Sequence, residues 1–209
     1  RVGGWNGPRT VGAWPAVFRV PCLVYVSRAL AACTYSPAPL GRSPLSTFFR
    51  EMVPAMMMAF SSASSVGTLP FTLECAEKLG ARKEIASFVI PLGATINMDG
   101  TAIYQGVCAV FIASCFNIDL TLGQMVTIVL TATLASIGTA GVPGAGMVML
   151  AMVLESVGLP VEGIGLVMGV DRIFDMGRTT VNITGDAACA VVISKMEERK
   201  EQRSRGVLG

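Results

Sequence analysis

Between Ile85 and Leu154 the chain carries no lysine or arginine, and its only charges are Asp99 and Asp119. The rest of that stretch is mostly Ile, Val, Leu, Ala, Met and Gly. So long an apolar run must be covered by lipid or by other apolar helices. A carboxylate at its centre lies near the middle of a bilayer, where even lenient insertion scales assign a cost of about 2.5–3.5 kcal/mol. Asp99 therefore reads as functional. It sits in Asn97-Met98-Asp99-Gly100-Thr101, preceded by Gly93-Ala94-Thr95, and this text predicts a helix interrupted at membrane depth. Freed carbonyls and a carboxylate at such a break can line a cavity and hold a cation.

Composition agrees with a membrane protein: 52% hydrophobic residues, 14% charged, and a mean hydropathy of +0.61, too apolar for an ordinary soluble domain. There is no histidine, which removes Ser-His-Asp and Cys-His nucleophilic sites, His-ligated zinc and histidine proton relays together. Six cysteines occur without a CxxC pair and read as small buried hydrophobes. Lys195, Arg199, Lys200, Arg203 and Arg205 cluster near the C-terminus, which the positive-inside rule puts in the cytoplasm, with the rest of the chain multi-pass in the cell membrane. The lipid bilayer is the expected partner, and no nucleic acid is. The chain starts with Arg1 and shows no signal peptide, so it reads as a fragment of a longer protein.

Residues 1–44 differ from the rest. Six of the eleven prolines fall there, and Arg19 and Arg28 interrupt its only apolar stretch, a mixture that a lipid-facing helix tolerates poorly. It is left unassigned, as a remnant of a preceding membrane helix. A transport-type domain is expected over 45–195, followed by a basic tail over 196–209. Within it, hairpin 1 (about 45–80) has two apolar arms, each too short to span a bilayer, joined by Ser61-Ser62-Ala63-Ser64-Ser65-Val66-Gly67-Thr68. A broken helix covers 85–116. Hairpin 2 (about 121–158) repeats the design around Ser136-Ile137-Gly138-Thr139 and Gly141-Val142-Pro143-Gly144-Ala145-Gly146. The shared tip text, Ser65-Val66-Gly67-Thr68 with Pro70 against Ser136-Ile137-Gly138-Thr139 with Pro143, predicts an internal repeat with a binding site between two re-entrant tips. The fold class is an all-α polytopic membrane protein with two re-entrant hairpins and two transmembrane helices, one of them broken, as an inverted-repeat domain.

The last helix, about 163–195, places Asp171, Asp175, Arg178, Asn182 and Asp186 at spacings of 4, 3, 4 and 4, a single polar face with Thr179 beside it. Together with Asp99 and Arg172 the buried charges sum to four negative and two positive, so two carboxylates need protons or cations. Asn97, the hydroxyls and the unwound carbonyls are hard oxygen ligands, suited to hard cations and not to zinc or copper. Arg178 is then free to fork onto a ligand carboxylate, and Asp175 to take an ammonium. That pair suits an acidic amino acid. The blander readings are that Asp171 and Arg172 stabilise the helix end, that Met56-Met57-Met58 is packing, and that Asp119 and the charged residues from Glu74 to Glu84 are solvated. The glycine run 141–146 has the wrong spacing for a dinucleotide loop and no strand before it. Asp99 with Gly185-Asp186 imitates an intramembrane aspartyl protease, but Ile183 and Thr184 replace the expected preceding glycine, so this stays a distant alternative.

The serine-rich tip, the Asn97–Thr101 motif, the 141–146 glycine run and the stretch Asp175-Met176-Gly177-Arg178-Thr179-Thr180-Val181-Asn182-Ile183-Thr184-Gly185-Asp186 together resemble the glutamate/aspartate and neutral amino acid transporter family, the dicarboxylate/amino acid:cation symporters, especially its bacterial members. The resemblance runs from about Leu45 to Glu198. It implies a symporter of L-glutamate or L-aspartate coupled to sodium, no enzyme, working by elevator-type alternating access with hairpin 2 as the gate, and a homotrimer at full length. Arg178 would bind the substrate's side-chain carboxylate and Asp175 its amino group. Thr101, Thr179, Asn182 and the tips at Ser64, Ser65, Val142 and Gly146 would complete the pocket. One sodium site would use Asp186 with carbonyls of Gly93, Asn97 and Asn182. A second would use carbonyls of Thr95, Ser136, Ile137 and Thr139 near Met98, and a third Asp99 with Asn97 and partners on a helix absent from this chain. Some members carry arginine in the first tip where Ala63 stands here, and Arg172 is expected to reach that tip instead. Proton coupling and C4-dicarboxylate substrates remain open alternatives within the same fold.

Overall fold

The computed structural model describes residues 45–207, so the reading of residues 1–44 falls outside the described residues. All regular elements among the described residues are helices. Helices α1 (Leu45–Ser62) and α2 (Leu69–Lys78) form hairpin 1. Helices α3 (Lys83–Ile96) and α4 (Asp99–Cys115) are the two halves of the broken helix. Helices α5 (Leu122–Ile137) and α6 (Ala145–Ser156) form hairpin 2, and a 3-10 turn, Val161–Gly163, leads into α7 (Ile164–Val207).

Local sequence accounts for most of these boundaries. Pro70 sits in the first turn of α2, where its missing N–H costs nothing. Helix α3 closes at Asn97, whose N–H donates to Gly93 O at 2.8 Å, and Met98 leaves helical geometry at φ −101, ψ 41 before α4 restarts at Asp99. Thr121 and Gln124 cap α5 reciprocally. Gly144 precedes α6 at φ 79, a left-handed conformation that glycine enters freely.

The arms of the hairpins hold 18, 10, 16 and 12 residues, each short of the roughly 20 that a spanning helix needs. Lys83–Cys115 is the run among the described residues that is long and apolar enough to cross a membrane. Helix α7 has the length, 44 residues, but its polar stripe lowers its hydropathy. It also runs on past residue 195 to Val207, through the segment expected to be a separate basic tail. Solvated charges at helical spacing explain the extension: Lys200 lies 3.8 Å from Glu197, and Arg82 bridges to Glu201 at 2.8 Å.

Two separate apolar cores flank a polar middle. One packs Phe48, Met52, Ala55 and Ala59 of α1 and Cys75 and Ala76 of α2 against Ile90 of α3 and Ile183, Ala187 and Val191 of α7. The other packs Ile128 and Ala132 of α5 and Leu150, Val153 and Leu154 of α6 against Tyr104, Cys108 and Ile112 of α4 and Val167 and Phe174 of α7. The first half of the broken helix thus meets the second half of α7, and the second half meets the first, so the two run antiparallel. The hairpins follow suit. At the base of hairpin 1, the Arg82 N–H donates to Ser194 Oγ at 2.9 Å near the far end of α7, whereas hairpin 2 ends at Val157, seven residues before α7 begins. The hairpins enter from opposite ends, and each core is one hairpin plus half of each long helix. At the exposed base of hairpin 1, a hydrogen bond from Lys78 and its charge hold the Glu74 carboxyl below its usual range.

Candidate functional site: a charged pocket between two hairpin tips

Six helix ends converge at the centre. The C-termini of α1, α3 and α5 present carbonyls, and the N-termini of α2, α4 and α6 present N–H groups, so partial charges of both signs face one small region. The tips touch directly: Ser64 Oγ donates to Gly141 O at 2.8 Å, and the Val66 N–H donates to the same oxygen at 3.2 Å. A Cβ on Gly141 would lie 2.9 Å from both Ala94 O and Val66 Cγ2, so only glycine fits where the second tip meets the first and the end of α3.

The polar face of α7 runs beneath this junction. Asp175 and Arg178 are each 3% exposed and pair with one another. Arg178 Nε and Nη2 both donate to Asp175 Oδ1, at 3.0 and 2.8 Å. The other carboxylate oxygen accepts the Gly144 N–H at 2.8 Å, at the start of α6. The guanidinium stacks 4.8 Å from the centre of the Tyr104 ring. Its Nη1 is buried with no hydrogen-bond partner. A buried, unsatisfied charged donor is costly, and here it marks unused capacity to receive an acceptor.

One turn along α7, Asn182 reaches the break and the start of the second half of the broken helix. Its Oδ1 accepts the Gly100 N–H at 3.0 Å, and its Nδ2 lies 3.2 Å from Met98 Sδ. A further turn on, Asp186 is 1% exposed and accepts Asn97 Nδ2 at 2.7 Å, with the Gly93 backbone against its carboxylate. No three acidic, cysteine or histidine side chains gather among the described residues. A cation here would be held by Asp186, the Asn97 and Asn182 oxygens and the carbonyl ends of α3 and α5. That is a hard oxygen set of low charge, which fits a monovalent alkali ion and not a transition metal.

Of the residues singled out in the sequence, Ser65, Met98, Thr101, Thr139, Val142, Asp175, Arg178, Thr179 and Asn182 line a single cleft. Gly146 lies against the Arg178 guanidinium. Ser64 serves the contact between tips and does not line the cleft. Ser136 is buried at the end of α5 with its hydroxyl turned back to Thr133 O at 2.8 Å. The side chains of Thr95 and Ile137 are exposed, so only their carbonyls face the question of ion binding. Asp99 is exposed in the first turn of α4 and does not line the cleft. Arg172 is a correction: it is exposed and makes no hydrogen bond or ion pair with the first tip, because the next residue round α7 from Asp171 points out of the polar face. Sequence reasoning missed Tyr104 and the close approach of Gly141. Tyr104 stands three residues after Thr101, on the same face of α4, which was the available signal.

Fold and site together define a class: a helical membrane domain whose charged pocket is closed between two hairpin tips, with no catalytic constellation among the described residues. The profile of the sodium:dicarboxylate symporter family matches residues 10–196, and the chain belongs to that family, which consists of membrane transporters and not enzymes. The match begins within the stretch before Pro44. Among relatives, excitatory amino acid transporter 3 of Mus musculus is 50% identical over 154 residues, covering 73% of this chain and 29% of the relative. An excitatory amino acid transporter of Caenorhabditis elegans is 49% identical over 147 residues, 70% of this chain and 29% of the relative. The proton/sodium-glutamate symport protein of Bacillus subtilis (strain 168) is 47% identical over 150 residues, 72% of this chain and 35% of the relative. The chain spans about a third of the length of the relatives it matches.

Proposed function

We propose that these residues are the substrate-carrying domain of a sodium-coupled symporter for L-glutamate or L-aspartate. The observation that carries this reading is the buried Asp175–Arg178 pair at the junction of the tips. An acidic amino acid brings an ammonium for Asp175 and a side-chain carboxylate for Arg178, replacing an internal pair with two matched external ones. Thr101, Thr179 and Asn182 stand ready for the remaining polar atoms. The names of the mouse and Bacillus relatives support amino acid and glutamate transport. Sodium would be held around Asp186, Asn97 and Gly93, and around the carbonyls of Thr95, Ser136, Ile137 and Thr139. Asp99 would serve a third site completed by residues outside this chain. Cations there and substrate at Arg178 share the backbone around Asn97, Thr139 and Asn182, so each raises the other's affinity by the same factor.

The hairpins would be re-entrant, since their arms are short and their tips meet at mid-depth. Hairpin 2 would be the gate, and the whole domain would move as an elevator within a homotrimer in the cell membrane. Orientation follows from charge. The base of hairpin 1 and the end of α7 carry Lys78, Arg82, Lys83, Lys195, Arg199 and Arg203, whereas the loops at the other end carry only Asp119, Glu155 and Glu162. The positive-inside rule then places the C-terminus in the cytoplasm.

The family's description names dicarboxylates, and the Bacillus relative's name includes the proton, so both alternatives enter the test. Labelled aspartate uptake is measured in proteoliposomes containing a full-length protein that carries these residues, with and without a sodium gradient. Uptake is expected to need the gradient and to be displaced far better by glutamate than by succinate or malate, because Asp175 repels a second carboxylate. Equal displacement by succinate moves the substrate to dicarboxylates. Uptake that follows a pH gradient and ignores sodium moves the coupling ion to the proton.

A further inference from the structure

Three glycines on three different elements stand against polar side chains of α7. A Cβ on Gly93 of α3 would run into the Asp186 carboxylate, and one on Gly100 of α4 would lie 2.8 Å from Asn182 Oδ1. A Cβ on Gly146 of α6 would run into Arg178, 2.6 Å from Nη2 and closer still to Nη1. The consequences differ. At Gly100 the obstruction includes the Arg178 backbone carbonyl and Cβ, each at 3.2 Å, which cannot move without moving α7. At Gly146 the three nearest atoms all belong to the far end of a long, jointed side chain. The fold can accept a methyl group there, and Arg178 must give way.

Arg178 has little room in which to do so. The Tyr104 ring covers it at 4.8 Å, and Asp175 grips Nε and Nη2. Displacing the guanidinium breaks the fork and moves its unpartnered Nη1 out of the cleft.

We propose that Gly146 is a positioning residue: its missing side chain seats the Arg178 guanidinium, and this seat sets the preference for acidic over neutral side chains. The role belongs to the absent Cβ and not to a backbone hydrogen bond from Gly146. The proposal rests on the reading of Arg178 as the group that receives the substrate's side-chain carboxylate.

The test is a double-mutant cycle in the full-length protein in proteoliposomes, comparing unaltered protein, Gly146→Ala, Arg178→Cys and the double variant for labelled aspartate and labelled serine uptake under a sodium gradient. Gly146→Ala is expected to raise the aspartate KM about 30-fold, the scale of one lost charge-assisted hydrogen bond, while serine uptake is maintained or gained. In the Arg178→Cys background, adding Gly146→Ala is expected to change serine uptake less than about twofold, since nothing is left to displace. An unchanged aspartate KM in Gly146→Ala overturns the proposal, as does an equal loss in both backgrounds. Aspartate uptake that survives Arg178→Cys instead overturns the underlying assignment of Arg178, a distinct outcome. Should Gly146→Ala alone fail to insert, recovery of insertion and serine uptake in the double variant supports the seat, and continued failure overturns it.

Discussion

The two hairpins share one design and are held in place by opposite means. Tip 1 is bound to itself. Ser64 O accepts Thr68 Oγ1 at 2.7 Å and the Thr68 N–H at 3.1 Å, Ser64 Oγ accepts the Gly67 N–H at 3.0 Å, and Ser62 and Thr68 share a hydroxyl contact at 3.4 Å. Tip 2 is tied internally beside α5, by Thr139 Oγ1 donating to Ala135 O at 2.8 Å and the Thr139 N–H to Ser136 O at 3.2 Å, but beyond Thr139 its own ties are longer, the Ala145 N–H to Val142 O at 3.4 Å and the Met147 N–H to Gly144 O at 3.1 Å. Its short contacts beyond Thr139 are borrowed: Ser64 Oγ on Gly141 O and the Gly144 N–H on Asp175, both at 2.8 Å. A tip held by its own side chains keeps its shape whatever occupies the pocket. A tip held by Asp175 competes with any ammonium for the same carboxylate. Under the proposed function, the hairpin with the borrowed contacts is the one that substrate would release and re-engage.

The difference is largest to break at Asp175. Asp175→Asn removes the charge that serves both Arg178 and the Gly144 N–H, and aspartate affinity is expected to fall by at least about 100-fold, as for a buried pair that loses one partner. Cysteines introduced at the exposed tip positions Val66 and Val142 report on the two tips by their rates of thiol labelling. Asp175→Asn should accelerate labelling at 142 and leave 66 unchanged, and equal acceleration would end the distinction between the tips.

A medium effect is expected at the glycine contact. Gly141→Val places methyl groups against Ala94 O and Val66, and overpacking of this kind costs about 1–3 kcal/mol, enough to shift the gate equilibrium about tenfold toward open. A change at the glycine of tip 1, Gly67→Ala, meets only Ser64, its side chain at 3.2–3.3 Å, and should move substrate affinity less than about twofold, as for a surface site. Between these two falls Ser64→Ala, which deletes one bond between tips and one within tip 1. Each such bond contributes about 1 kcal/mol, so a roughly fivefold shift toward the open gate is expected from labelling at 142. No shift there would mean that the tips do not support one another.

Much of this was legible in the sequence because polar residues are rare at membrane depth and therefore informative. The break at Asn97–Met98 and both tips could be located from the glycine, serine and asparagine that interrupt the apolar text, and the α7 stripe from Asp171 to Asp186 from its spacing. What could not be read was how the charges settle among themselves. Periodicity places Asp175 and Arg178 one turn apart, but it does not say that they pair in the absence of ligand. Nor does it show that Arg172, one residue past Asp171, turns outward. The clearances at Gly93, Gly141 and Gly146 depend on ångström-scale approaches between elements far apart in sequence, which composition does not encode. Helix α7 outran its expected end because charges that read as a loop become helix stabilisers once spaced three or four apart.

The division into two cores also fixes an order of assembly. Residues 48–90 have no complete apolar partner until Ile183, Ala187, Ala190 and Val191 arrive, roughly a hundred positions later. The second core closes sooner, since its last contributions are Val167 and Phe174. Contacts of such long sequence separation form slowly. Hairpin 1, made before hairpin 2, is therefore the later of the two to find its seat, and a chain cut short after residue 180 leaves it stranded while hairpin 2 is already packed.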